Sequence, residues 1–168
     1  ENCINSDLAN NFGNFCQRVI AFIEKNLNLK IPDQYQFNND DIKILKSYTS
    51  NCDDLIDKID NQDLNNYVNF IQGQLFSANK YFNDQEPWKK KFDIKRLNSI
   101  IYVSLELIRK ISIMLYPIIP STSLKVLKIF NIDENQIDFN SIKNHEILIK
   151  NMKIYKISIL FKKIEMND

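Results

Sequence analysis

Apolar residues in this chain recur at steps of three and four, and little interrupts them. Leu8, Phe12, Phe15, Val19 and Phe22 form one such stripe, and Tyr67, Val68, Ile71, Leu75 and Ala78 another. Leu97, Ile101, Leu105, Ile108, Ile111 and Leu115 form a third. That spacing stacks side chains on one face of an α-helix, where a strand would need alternation. Only two Gly and four Pro occur in 168 residues, too few for the many tight turns of an all-β protein. The chain is therefore expected to be all-α, an antiparallel bundle of about five helices with a short extended or irregular C-terminal segment. Its length suits one domain with a substantial core, taken as 1–168, with 147–168 as a tail packed on the bundle.

The first helix is expected to start at Asn5 or Ser6, both good N-caps, and to end near Asn28. Pro32 beyond it disfavours the helical conformation at Ile31. A polar loop over 33–39 leads to a second helix over 40–60, whose buried face is Ile42, Leu45, Cys52, Leu55, Ile56 and Ile59. A third spans 63–83, with Leu64 at the start of its inward face. A fourth spans 93–116, and Pro117 and Pro120 stop it. Ser121 then caps a fifth that ends near Phe130. Ser141 to Asn144 is expected to make one helical turn. From Ile147 to Ile164 apolar runs mix with lysines and partly alternate, which predicts a strand or extended segment.

The net charge is +1, so no bulk attraction to nucleic acid exists and any such site must come from local clustering. Cys3, Cys16 and Cys52 are odd in number and lack CxxC spacing, which argues against a disulfide framework or a structural zinc site. Cys16 and Cys52 are expected to pack as small hydrophobes. No stretch approaches the roughly 20 apolar residues of a membrane span: the most apolar run, Ile111 to Ile119, is broken by Ser112 and Pro117. No signal-peptide pattern opens the chain. Its first residue is Glu1, so it is expected to be a piece or a processed product of a longer polypeptide. One histidine, His145, cannot build a multi-His metal site and is expected at the surface. No phosphate-binding loop, GxGxxG or nucleophile elbow occurs. No catalytic residue, metal ligand or cofactor site is assigned to these residues.

Two local features stand out. Asn14 and Arg18 are four residues apart and share a helix face, with Asn11 one turn earlier. An amide and a guanidinium fork could read the edge of an unstacked base, although from spacing alone a solvated polar strip accounts for them better. Gly13, just before Asn14, costs about 1 kcal/mol relative to Ala in a helix and suits close approach by a neighbouring helix or a nucleotide. The second feature is Pro87-Trp88, followed by Lys89, Lys90 and Lys91. An aromatic plane beside a basic run suits single-stranded RNA, with stacking for the base and charge for the phosphates; a loop anchor among solvated lysines is the plainer account. Lys80, Lys89, Lys90, Lys91, Lys95 and Arg96 outnumber Asp84, Glu86 and Asp93 around Trp88. Asp53, Asp54, Asp57, Asp60 and Asp63 make the junction of the second and third helices acidic, so RNA would be drawn to the Trp88 end.

Several stretches, in order, resemble the anticodon-binding helical domain of methionyl-tRNA synthetase. Asn5 to Arg18 resembles that family's N-x-DLAN-x-LGN-x3-R, with Phe12 for the usual Leu. Ala78-Asn79-Lys80-Tyr81 with Pro87-Trp88 resembles its A-N-x-Y…PW, and Lys91 fits a lysine often found after it. Glu106, Arg109 and Tyr116 to Pro120 resemble its LE-x-(L/I)-R…P-x-x-P segment. Ile159 to Glu165 resembles its terminal LFP-(R/K)-IE, with Lys162 for the Pro. The resemblance implies a domain that recognises the CAU anticodon of tRNA(Met). Trp88 would stack on the first anticodon base, Asn14 and Arg18 would contact that base's polar edge, Pro87 would shape the loop, and Lys89, Lys90 and Lys91 would meet the backbone. ATP and methionine would bind a catalytic domain of the same polypeptide that lies outside this chain, in a cytoplasmic or organellar enzyme. Lys43 to Ser47 superficially resembles the KMSKS signature, but it lies in an amphipathic helix with no HIGH-like partner. The alternatives are the corresponding domain of a valine, leucine or isoleucine enzyme, or a helical interaction module without RNA.

Overall fold

A computed structural model describes residues 2–50 and 52–155. Among them the chain forms six α-helices: α1 (Asn2–Leu27), α2 (Asn39–Ser47), α3 (Cys52–Asp60), α4 (Leu64–Gln85), α5 (Ile94–Leu115) and α6 (Pro120–Ile129). Short 3-10 turns cover Pro87–Lys89, Glu134–Gln136 and Phe139–Lys143. The all-α bundle is as expected, and the last of these turns falls where one helical turn was predicted. No helix among the described residues is long and apolar enough to cross a membrane.

Several expectations need correction. The helix predicted over 40–60 is two helices, because the chain turns around Tyr48, whose buried ring donates its hydroxyl to the Gln74 carbonyl of α4 at 2.6 Å. On α2 the buried residues are Asp41 and Leu45, while Ile42 is exposed. Leu64 is exposed as well, at the N-terminal edge of α4. α1 begins at Asn2, before the predicted caps, and ends where Asn28 and Leu29 take left-handed φ values of 49° and 57°. α6 starts with Pro120 in its first turn, a position where the missing N–H costs nothing.

The fourth helix of the sequence reading, α5, is the axis of the fold. Its predicted stripe is buried, but so is every other residue from Leu97 to Leu115. α1, α2, α4, α6 and the 139–143 turn all pack on it. A helix enclosed on every side must satisfy its polar groups internally. Ser104 and Ser112 donate to carbonyls one turn back. Glu106 accepts from Arg109 Nε at 2.7 Å and from the backbone N–H groups of Ile147 and Leu148 at 2.8 and 3.0 Å. Arg109 donates to the carbonyls of Ser141 and Asn144, and Lys110 to those of Ile142 and Asn144. The Glu106, Arg109 and Lys110 side chains thus bind the segment around 141–148 to the bundle. His145, expected at the surface, is half-buried instead, with Nδ1 at 3.2 Å from Lys110 Nζ.

The segment beyond Leu148 continues along the end of α1. Ile31 and Met152 exchange backbone hydrogen bonds with this region, through Ile31 N to Met152 O and Asn151 N to Ile31 O, both 2.9 Å. A single antiparallel bridge pairs Lys30 with Lys153, and Leu148 and Ile154 are buried. The remaining part of the predicted tail, including Ile159 to Glu165, lies outside the described residues. Cys16 and Cys52 are buried free thiols, packed as small hydrophobes.

A second buried charge fixes the geometry of α2, α4 and α5. The Asp41 carboxylate accepts two bonds from Arg96, at 2.6 and 2.9 Å, and one from the Tyr81 hydroxyl at 2.5 Å. It also accepts the Asn38 N–H at 3.0 Å, completing a capping box at the start of α2. Burial works to lower the Arg96 pKa, yet the bond and charge of Asp41 hold it above its ordinary value.

Two predictions follow from these buried charges. Asp41→Ala strips partners from Arg96 and Tyr81 at once and should cost about 3 kcal/mol, read from the urea denaturation midpoint. Burial, then the neighbouring Arg109 charge, push Lys110 down to about 7, and burial lowers His145 as well. A lysine depressed in the fold binds fewer protons there than in the unfolded chain between its folded pKa and 10.5. The wild type should therefore gain stability over Lys110→Met as pH rises from 7 toward 10, by at most about 1.4 kcal/mol per pH unit. Urea titrations of both chains at several pH values check this.

Candidate nucleic-acid interface

The loop that carries Trp88 is set by its backbone. α4 ends at Gln85, and Glu86 takes a left-handed φ of 46° that turns the chain out of the helix. Pro87, buried and with φ fixed by its ring, opens the 3-10 turn. Lys89 and Lys90 close it with backbone bonds to Glu86 and Pro87 at 2.9 and 3.0 Å. Asp93 bonds back to the Lys90 carbonyl and caps α5 by accepting the Arg96 N–H, both at 3.0 Å. Across the base of the loop Arg96 Nη2 donates to Gln85 Oε1 at 2.6 Å. The connection is thus tied at both ends, and its short turns leave Trp88 43% exposed.

Phe82, on the last turns of α4, joins this loop to α1. Its ring meets Trp88 edge-on, with centroids 6.2 Å apart and planes at 64°. On another side the Arg18 guanidinium lies over the same ring, 4.9 Å from its centroid, a cation–π contact. Phe15 and Phe22 pack against it at 6.5 and 6.1 Å, both edge-to-face. Arg18 also donates from Nη1 to Asn83 Oδ1 at 3.1 Å and more weakly from Nη2 to the Asn79 carbonyl at 3.5 Å. These two bonds use two of its five N–H donors. Partial burial lowers its pKa, but a guanidinium keeps its charge at neutral pH.

Asn14 is exposed one turn before Arg18 and does not join this aromatic cluster. It lines an open groove of about 650 Å³ between α1 and α4, with Asp7, Asn10, Asn11, Gln72, Phe76 and Asn79 among its walls. Asn79 belongs to both places, since its side chain lines the groove and its carbonyl meets Arg18. Gly13 is buried, where α1 packs against α4 and α5. Of the three lysines after Trp88, Lys89 is paired with Glu86 at 2.7 Å; Lys90 and Lys91 make no ion pair among the described residues.

The sequence pairs both Asn14 and Arg18 with the Pro87-Trp88 loop; the structure brings Arg18 to that loop through Phe82 and leaves Asn14 in the groove. Sequence reasoning missed Phe82 and Asn83. The available signal was their position on α4, one and two residues after Tyr81, with Asn79 and Asn83 four apart on one face.

The model of the "anticodon binding domain of methionyl tRNA ligase" matches residues 31–168. The chain belongs to this family. A methionine–tRNA ligase of Thermotoga maritima is 30% identical over 167 residues, covering 98% of this chain, including α1, and 26% of that protein. A Brucella suis methionine–tRNA ligase is 34% identical over 139 residues, covering 82% of this chain and 27% of its own length. The apo crystal structure of Mycobacterium tuberculosis methionyl-tRNA synthetase superposes with a TM-score of 0.84 at 27% identity, over 95% of this chain and 33% of that one. The chain therefore spans about a quarter to a third of these three relatives, and corresponds to their anticodon-binding portion.

If Phe82 is the common support, shrinking its ring should loosen both neighbours. Phe82→Leu should shift Trp88 emission to longer wavelength while the far-ultraviolet spectrum stays helical. The accompanying loss of stability is expected to be about 1 kcal/mol.

Proposed function

We propose that this end of the bundle recognises the CAU anticodon of tRNA(Met), and that the parent enzyme attaches methionine to that tRNA using ATP. The observation that carries the reading is the shared seat of Arg18 and Trp88 on Phe82. It sets a cation with spare N–H donors beside a half-exposed indole, at the end of the bundle where lysines gather. An unpaired base stacked on Trp88 would meet Arg18 donors at its edge, which is how single-stranded RNA is read. Asn14 serves from the groove one turn away, as a contact to the same base or to its neighbour. Pro87 fixes the loop, and Lys90 and Lys91 supply charge for the phosphates, whereas Lys89 must first leave Glu86.

The reading also explains what this chain does not do. ATP and methionine belong to a catalytic domain of the same polypeptide, so the chain's role is selection rather than chemistry. The acidic stretch from Asp53 to Asp63 lies on α3 and the turn that follows, away from the Trp88 loop in the chain, and disfavours RNA there. The parent enzyme would work in the cytoplasm or in an organelle, where translation supplies its tRNA.

Trp88 is the only Trp in the chain, so its fluorescence reports the site directly. A CAU anticodon stem-loop should quench it, and a stem-loop with a changed first anticodon base should do so far less. Trp88→Ala should leave the helical spectrum intact and weaken CAU binding by about 1–3 kcal/mol, with loss of discrimination at the first base. Undiminished discrimination in filter binding by that variant would remove Trp88 from the role.

A further inference from the structure

Phe92 is fully exposed, more so than any other large hydrophobic side chain among the described residues. It is nevertheless not on a loose end. The Asp93 N–H bonds the Lys90 carbonyl at 3.0 Å, and Asp93 caps α5 at once afterwards, so the backbone on both sides of Phe92 is held. It lies four positions after Trp88, at most about 14 Å even for extended chain, and the intervening turns shorten that. Around it lie Lys90, Lys91 and Lys95, none of which makes an ion pair among the described residues. Arg96, by contrast, is paired with Asp41 and bonded to Gln85.

We infer that Phe92 is a second stacking platform, for an unpaired nucleotide of the same RNA strand that Trp88 engages, with Lys90, Lys91 and Lys95 supplying charge for its phosphates. The inference rests on the anticodon reading for the identity of the strand. Its chemistry is that of a single ring with a cationic rim. One exposed ring matches the face of one base and is too small for the apolar stripe of a partner helix. Stacking on an aromatic tolerates any base, so Phe92 contributes affinity without choosing the sequence, whereas Trp88 with Arg18 chooses. Such a platform also gives the strand a direction across the loop, from the Phe82 cluster toward the start of α5. Because the ring packs on nothing, its removal leaves the fold unchanged.

The test uses the 168-residue chain, a CAU anticodon stem-loop, a stem-loop with a changed first anticodon base, and a series with one loop nucleotide at a time made abasic. Phe92→Ala should weaken the CAU stem-loop by roughly 5- to 150-fold. The changed-base stem-loop should lose the same factor, so that discrimination survives, and Phe92→Tyr should restore binding. At one abasic position other than the first anticodon base, wild type and Phe92→Ala should bind equally. Equal affinity of wild type and Phe92→Ala for the intact stem-loop overturns the inference, as does full restoration by Phe92→Leu, which keeps apolar bulk without a ring. A wild type that binds the stem-loop but ignores the first base removes the Trp88 reading; a Phe92→Ala loss that persists there still supports the platform. Vesicles of phosphatidylserine bound by wild type and not by Phe92→Ala, with RNA affinity unchanged, would overturn it in favour of a membrane contact.

Discussion

The enclosure of α5 governs this fold. From Leu97 to Leu115 every residue is buried, so the polar groups on the helix have to find partners inside the protein. Those partners are the other elements. Glu106, Arg109 and Lys110 take up backbone groups of the segment around 141–148, and Tyr102 donates to the Leu148 carbonyl at 3.0 Å. Nearer its N-terminus Ser99 bonds the backbone of Gln36, and Asn98 donates to the Gln34 carbonyl. The loop before α2 and the segment after α6 are thereby drawn onto neighbouring stretches of one helix, where Tyr35 of the first donates to Glu146 of the second at 2.7 Å. Hydrophobic burial supplies the driving force, but the charges decide where the irregular chain is laid down.

The same logic builds the interface. The Trp88 loop is short because α4 and α5 are adjacent, and it is rigid because Asp41 holds Arg96 and Arg96 holds Gln85 across its base. Phe82 then converts that rigidity into position. One ring, seated at the end of α4, orients a cation from α1 on one side and the indole of the loop on another. Hydrogen bonds to Asn83 and to the Asn79 carbonyl help hold Arg18 in that orientation. A small aromatic cluster thus links two stretches separated by some 70 residues of sequence and presents them as one surface.

Much of this was legible without coordinates. The 3.6-residue stripes gave α1, α4, α5 and α6 nearly at their observed bounds, because apolar spacing reports burial directly. The order of short motifs named the family and pointed to Arg18, Pro87 and Trp88. What periodicity could not show was the break near Tyr48, since apolar spacing continues on both sides of it and only the bond from Tyr48 to α4 explains the turn. Ile42 looked like a core position for the same reason, while its neighbour Asp41 is the buried one. A carboxylate inside the protein is never expected from hydropathy; its burial depends on Arg96, 55 residues away, and on Tyr81. His145 was misplaced likewise, because its half-buried site is created by Lys110.

The sequence by itself determined that the chain is helical, where most of the helices lie, and which family it belongs to, because these follow from local spacing and from residues close together in the chain. The tertiary structure alone decided which charges are buried, that α5 is wrapped on all faces, that Asn14 opens into a groove rather than joining Trp88, and that Phe82 is the meeting point of the interface. Each of these depends on contacts between distant residues, whose energies come from pairing and packing in three dimensions and leave no periodic trace in one.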